Sequence, residues 1–389
     1  MSPIDLELYF GCLRESPKAG DSKLDLAFGD LSISVSAAAA ICEHLEAAVG
    51  FAADSRPEHC SRREGTTRFS LRVVNSRDRL TDLKQILNPH LPKATRYSRR
   101  KNLFNRLSFG GWTADCFETL PVCWLTRSAH NEILIVQDDM QPIHADEARL
   151  GVIDILNRFL ETHGWHTIHS GAIQVGSRTL LVMGNSGAGK TSLITRFVSS
   201  GARFLANERL FIRQSNGMLS IRTFPQPISM GIGTVLQFSG LSPLLKDPSS
   251  LASKQNRWDQ FRVDTTELQV LHALPDKLKI LPPEFVAALD AKDPIPTGTI
   301  DGVLVPRFNQ VGRSELFPIE PGEVFNLLRT NYFPSSQDMT YPRWLPIQLP
   351  YSSNLDVESL VDAICQLPAT GVAFSEDADE ALLETIRQP

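Results

Sequence analysis

Apolar and polar residues alternate along LDLAFGDLSISVS (24–36), the period of a strand with one buried face. The pattern then changes. AAAAICEHLEAAVGF (37–51) reads as a helix, whereas SLRVVNS (70–76), CFETLPVCWLT (116–126) and EILIVQ (132–137) are rich in β-branched and aromatic residues and predict strands. Residues 1–140 therefore predict a mixed α/β module, with no tandem repeat and no low-complexity tract. A helix is expected over ADEARLGVIDILNRFLETHG (145–164). It has acidic residues in its first turn, Leu150, Ile153, Leu156 and Leu160 along one face, and Gly164 where a C-terminal cap belongs. This helix opens a second module, 141–389. HTIHSGAIQV (166–175) and RTLLVMG (178–184) predict a strand hairpin turning at Gly176-Ser177. KTSLITRFVSS (190–200) predicts a helix stopped by Gly201, and RFLA (203–206) a further strand. LDVESLVDAICQL (355–367) reads as an apolar-faced C-terminal helix.

Length and charge narrow the picture. A chain of 389 residues is comfortable for two domains. Hydrophobic residues are 42% and charged residues 21%, proportions of a soluble globular protein. A net charge of −5 does not favour nucleic acid or an acidic membrane, and no apolar run is long enough to span a bilayer. The N-terminal MSPIDLELYFGCLRES carries acidic residues early, so no signal peptide is expected. Cys12, Cys42, Cys60, Cys116, Cys123 and Cys365 are scattered with no CxxC pair, which predicts reduced thiols in a cytoplasmic protein. One segment departs from the acidic balance. PHLPKATRYSRRKNLFNRL (89–107) holds Lys93, Arg96, Arg99, Arg100, Lys101 and Arg106, with Tyr97 and Phe104 between them. It is either a basic surface for an acidic partner or a solvated loop and helix face, and one cluster alone favours the second.

The candidate chemistry lies in LVMGNSGAGKTSLITRFVSSGARFLANERLFIR (181–213). Gly184, Asn185, Ser186, Gly187, Ala188, Gly189, Lys190 and Thr191 fit G-x-x-x-x-G-K-[ST], with Ser192 next in the helix. Glycines let backbone N–H groups turn toward phosphate oxygens, and the helix starting at Lys190 aims its positive end at the same anion. Lys190 supplies a charge for the β- and γ-phosphates of ATP or GTP, and the Thr191 hydroxyl suits Mg²⁺. Asn207-Glu208 ends the next strand, where an open sheet lines its ligand crevice, and Glu208 is placed to hold Mg²⁺. His169 lies on the strand before the loop strand, within reach if the hairpin forms. His163, His166 and His169 do not predict a metal site, because a helix end and a strand put them on different faces. Arg209 and Arg307 are each either phosphate contacts or ordinary surface charges. DPSSLASKQNRWDQ (247–260) is either a loop over the site or a long surface connection.

Together these residues resemble the HPr kinase/phosphorylase-like kinases, whose P-loop fold is related to phosphoenolpyruvate carboxykinase. IHSGAIQV (168–175), MGNSGAGKTSL (183–193) and GARFLANERLFI (201–212) carry the resemblance, and FPQPISMGIGTV (224–235) matches loosely. The layout, including LKILPPEFVAAL (278–289) and DGVLVPRF (301–308), is similar to kinase-like proteins of ribosomal-peptide biosynthesis, lasso peptides among them. The resemblance implies an α/β fold: an N-terminal mixed module that recognises substrate, and a C-terminal HPr-kinase-like P-loop domain on a mixed sheet. It implies a peptide or small-protein substrate, biosynthetic partner enzymes, and neither nucleic acid nor membrane; a homo-oligomer is left open. His169 stands at the family's histidine. Asn207 replaces the first aspartate of its acidic pair, which assists proton removal, and Glu208 replaces the second, which helps hold the metal. An amide cannot take a proton, and losing a general base typically costs about 10²–10⁴ in rate. Three readings stay open: a serine/threonine-type peptide kinase, a nucleotide-binding partner with little catalysis, and nucleotide-driven modification of a small-molecule hydroxyl or carboxylate.

Overall fold

The computed structural model describes residues 21–53, 66–99, 102–138, 144–245, 277–308, 314–332, 345–347, 357–375 and 386. The chain is mixed α/β and divides into two compact units, Met1–His163 with Ser335–Ser353, and Gly164–Pro334 with Asn354–Pro389. The first unit is built on an eight-stranded sheet: β1 (Asp21–Phe28), β2 (Leu31–Ala38), β3 (Thr67–Asn75), β4 (Thr95–Arg99), β5 (Asn102–Phe109), β6 (Trp112–Phe117), β7 (Val122–Arg127) and β8 (Glu132–Gln137). The spatial order is β1-β2-β3-β8-β7-β6-β5-β4. Only β2 with β3 and β3 with β8 run parallel. Along β2, Leu31, Ile33, Val35 and Ala37 are buried while the intervening positions are half-buried. That alternation is what puts one face of the sheet into a core.

Two segments read as single strands are hairpins. In 24–36 the chain reverses at Gly29-Asp30, and Gly29 has φ +66, a conformation that only glycine adopts without strain. In 116–126 it reverses across Glu118–Pro121, so that Cys116 faces Cys123 with sulfurs 3.2 Å apart. All four described cysteines are free. The 89–107 segment is neither a loop nor a helix face. A 3₁₀ turn over Asn88–Lys93 leads into the β4–β5 hairpin. Two of its cations are paired inside the unit. Arg96 pairs with Glu118 at 2.9 Å. Arg106 makes a bidentate pair with the buried Asp115 at 2.7 and 2.8 Å and lies over the Tyr97 ring. Arg100 and Lys101 lie outside the described residues.

Among the described residues, three α-helices belong to this unit: α1 (Ala39–Val49), α2 (Arg77–Leu87) and α3 (His144–Thr162). α3 is the helix expected to open the second module. It groups with the first instead, because it packs on α1 and on β2, β3 and β8. At Gly151 a Cβ would meet the Trp124 ring at 2.8 Å, so the helix rides directly on that side chain. Trp124 Nε1 donates to Glu147 at 2.9 Å, one turn earlier.

The second unit contains β9 (His166–Ile168), β10 (Gly171–Val175), β11 (Arg178–Val182), β12 (Arg203–Ala206), β13 (Leu210–Ser215), β14 (Met218–Thr223), β15 (Ile228–Gly231), β16 (Lys277–Ile280), β17 (Thr297–Phe308), β18 (Glu315–Pro318) and β19 (Ala369–Phe374). Its helices are α4 (Lys190–Ser199), α5 (Ile232–Leu236), α6 (Pro282–Ala288), α7 (Pro321–Asn331) and α8 (Val357–Cys365). The long β17 is the axis. It runs parallel to β11 on one side and parallel to β19 on the other, and its first residues pair antiparallel with β14. Period-two alternation splits the sheet's side chains between two cores. Ile173, Leu180, Val182 and Leu304 join Leu193 and Phe197 of α4 and Phe285 of α6. Ala172, Leu181, Val303 and Val305 join Leu327 of α7 and Ile364 of α8. Half-buried Cys365 packs beside the second core.

Truncating Arg106 leaves the Asp115 carboxylate buried without its bidentate partner. We expect Arg106→Ala to lower unfolding free energy by about 3 kcal/mol. Urea unfolding of the whole chain measures this, and a loss near zero would show the pair to be replaceable by solvent.

Candidate functional site

The segment 166–175 is not one strand. β9 pairs with β13, β10 pairs with β11, and the chain changes partner between them at His169 and Ser170. Ser170 is fully buried and its hydroxyl donates to the Gly171 and Val182 carbonyls at 3.0 Å. The His169 N–H donates to the Asn331 carbonyl at 2.7 Å. The break therefore has its polar groups met, and it delivers the imidazole to the end of β11, where the phosphate loop begins. β10 approaches β12 so closely that a Cβ on Gly171 would meet the Ala206 and Asn207 carbonyl oxygens at 3.1 and 3.3 Å. The strand after the loop helix thus ends beside the histidine.

The loop is held at both ends by β17. Met183 N–H donates to the Leu304 carbonyl at 2.9 Å, and Phe308 N–H donates to the Ala188 carbonyl at 3.2 Å. Gly189 has φ +92, and a Cβ there would lie 2.9 Å from Phe308 Cβ and from the Phe374 ring. Both sterics and conformation demand glycine. α4 starts immediately afterwards with no side-chain cap and no acid in its first turn, so its opening N–H groups are available to an anion. Lys190 is 8% exposed, and its Nζ donates to the Gly184 and Asn185 carbonyls at 2.6 and 3.2 Å.

These elements enclose a cavity of about 380 Å³. His169, Asn185, Ser186, Gly187, Gly189, Lys190, Thr191, Ser192, Asn207 and Glu208 all line it. Two loop residues expected there do not. Gly184 packs against Pro306 and Ala188, and Ala188 serves as the acceptor for Phe308. The sequence reading missed the wall formed by Ser229, Gly231, Thr234, Gln237 and Lys277, and also Phe308, which lines the cavity beside Gly189. The only signal for it was the loosely matching FPQPISMGIGTV and the alternation in KLKI, whose Lys277 is exposed while Leu278 is buried. Segment 247–260 lies outside the described residues.

Neither candidate arginine lines this cavity, and Arg307 is an exposed surface charge. Arg209 is buried with its guanidinium over the Phe224 ring. Arg307 pairs with Glu323 at 3.0 Å and stacks on Phe317. The three histidines do not converge either: His163 contacts the Phe159 carbonyl, and His166 the Tyr332 hydroxyl. Among the described residues no group of three His, Cys, Asp or Glu could hold a metal. No described helix is long and apolar enough to cross a membrane.

Burial, then the charges of Lys190, Arg209 and Lys277, lowers the His169 pKa from 6.5 to about 4. At neutral pH the ring is uncharged and one nitrogen has a lone pair to accept with. Burial also lowers the pKa of Lys190, against the pull of Glu208. Asn207 is 5% exposed, and neither its Oδ1 nor its Nδ2 has a hydrogen-bond partner among the described residues.

No protein-family model matches this chain, and no curated protein matches it. Among solved structures it is similar to the Hpr(Ser) kinase/phosphatase from Coxiella burnetii. The likeness covers 57% of this chain and 86% of that one, at 12% identity and a TM-score of 0.25. At that score the two backbones diverge too far for residue roles to be carried across, so the site's chemistry rests on its own geometry.

Two outcomes follow from that geometry. Gly189→Ala is expected to weaken nucleotide binding about tenfold or more, read by calorimetry; unchanged affinity would mean that the loop is not the binding element. Because the His169 pKa is depressed in the folded state, the unfolded chain binds the extra proton between pH 6.5 and about 4. Stability is therefore expected to fall as pH drops through that window, and to fall less in His169→Gln. Parallel curves for the two proteins would remove His169 as the cause.

Proposed function

We propose that this protein is a kinase that transfers the γ-phosphoryl group of ATP or GTP to a serine or threonine hydroxyl of a peptide or small protein. The observation that carries this reading is the gathering of the phosphate loop, a neutral imidazole and the Asn207-Glu208 pair around one cavity. The loop's N–H groups and Lys190 bind the phosphates. Thr191 and Glu208 present a hydroxyl and a carboxylate to the same space, a donor set that suits an ion shared with phosphate oxygens better than an all-protein cage. Mg²⁺ bound there would offset phosphate charge. His169 accepts the acceptor's proton, and Lys277 adds positive charge from the opposite wall.

Phosphoryl transfer depends mainly on positioning and charge stabilisation, so loss of a carboxylate at position 207 is compatible with turnover. The resemblance points to a ribosomal-peptide precursor as substrate, with the other enzymes of its biosynthesis as partners. A second reading, a nucleotide-binding regulator, is favoured by the amide at Asn207 and by an imidazole that binds protons weakly.

The two separate in one experiment. The protein is incubated with Mg²⁺ and γ-³²P-labelled ATP or GTP, with precursor peptides from its genomic neighbourhood. The kinase reading expects label on a peptide, an 80 Da mass gain, and a loss of about 10²–10³-fold in Lys190→Ala. Bound nucleotide with no transfer to any peptide favours the regulator, and full activity in Lys190→Ala would sink the loop's role.

A further inference from the structure

Asn207 presents a puzzle of its own. A primary amide carries a donor and an acceptor, and burying either unpaired is unfavourable. Both amide atoms of Asn207 are buried and find no partner among the described residues, in a residue that is 5% exposed and lines the phosphate-loop cavity. The terminal torsion of an asparagine is soft, so a small rotation turns the amide toward the cavity. A partner that satisfies it must offer an acceptor and a donor side by side. A phosphate or a carboxylate offers acceptors alone. A serine or threonine within a peptide offers both, its hydroxyl oxygen and its own backbone N–H.

We infer that Asn207 selects the acceptor as a hydroxyl with a peptide N–H beside it, donating through Nδ2 to the hydroxyl oxygen and accepting through Oδ1 from the backbone N–H. This rests on the kinase reading and assigns the recognition of its acceptor to one residue. The hydroxyl oxygen then has its O–H left to face His169. In the transfer, that oxygen bonds to phosphorus and the bond from phosphorus to the β-phosphate oxygen breaks. The nucleoside diphosphate leaves with the electron pair, and the hydroxyl proton passes to the unprotonated ring nitrogen of His169. An aspartate at position 207 would keep the acceptor for the N–H but lose the donor to the hydroxyl. The inference therefore assigns the amide a role that a carboxylate cannot fill.

The test needs no knowledge of the natural substrate. N-acetylserine methylamide is titrated onto the full-length protein saturated with Mg²⁺ and ADP or GDP, with glycerol as the comparison hydroxyl, and binding is followed by ligand-observed NMR. We expect the serine amide to bind at least tenfold more tightly than glycerol. Asn207→Leu should abolish that preference, whereas Asn207→Asp should weaken binding of both hydroxyl compounds and keep the preference for the one with the N–H. Asn207→Leu should also melt at a higher temperature without ligands, because it removes two unpaired polar atoms. Equal binding of serine amide and glycerol, no binding of the serine amide, a preference retained in Asn207→Leu or lost in Asn207→Asp, or a lower melting temperature in Asn207→Leu would each overturn the assignment. The kinase reading fails separately, when the wild-type protein binds the serine amide yet moves no label from γ-³²P-labelled nucleotide to any hydroxyl.

Discussion

The site depends on one strand. β17 pairs in parallel with β11 and β19, and its two ends of hydrogen bonding to Met183 and Ala188 hold the phosphate loop like a bracket. A loop of this composition, free in solution, samples many conformations, and glycine raises the entropy lost on ordering it. Here the ordering is done by a central strand buried between two apolar layers. Gly189 is fixed further by the contact of its α-carbon side with Phe308 and Phe374. Core packing is thereby converted into loop geometry, and loop geometry into a set of N–H groups facing one point.

The same burial tunes the charges. A lysine and a histidine placed against apolar layers lose hydration, and both shift toward their neutral forms. For the imidazole this is decisive, since burial and three nearby cations act in the same direction. Lys190 is pulled both ways, because Glu208 opposes its desolvation. One carboxylate and several cations around a cavity leave a surplus of positive charge, which suits a polyphosphate ligand. The wall that carries Lys277 contributes to this surplus without belonging to the loop at all.

Much of the second unit was legible in the chain because its signals are local. Gly176 and Gly201 mark turns, RFLA is a strand to the residue, and the loop motif fixes its own strand and helix. What stayed hidden depends on distant pairing. Nothing local announces that 166–175 changes partner at His169, since either half fits a strand and the break is set by β13 and β11. Within the basic run 89–107, the pairing of Arg96 and Arg106 was hidden because their partners, Glu118 and Asp115, come from the turn and strand of the next hairpin. The hairpins in 24–36 and 116–126 were read as single strands because each reversal is short, Gly29-Asp30 in one and Glu118–Pro121 in the other. The far wall of the cavity was missed for a similar reason: Lys277 lies far along the chain from Lys190.

β15 and β16 make a two-stranded ribbon in which Gly231 faces Lys277 and Met230 faces Leu278. One side of the ribbon, Ile228, Met230, Leu278 and Ile280, is buried in the same core as α4. The other side carries Ser229, Gly231 and Lys277 to the cavity. Strand side chains repeat every two residues, so a slip of β16 by one position would exchange the two sides. Leu278 would then enter the polar cavity, and Lys277 would be driven into hydrocarbon. The apolar core beneath α4 therefore acts as a ratchet with a two-residue tooth: it admits no intermediate setting for the cation above it, and the wall opposite the phosphate loop is either correctly charged or not assembled.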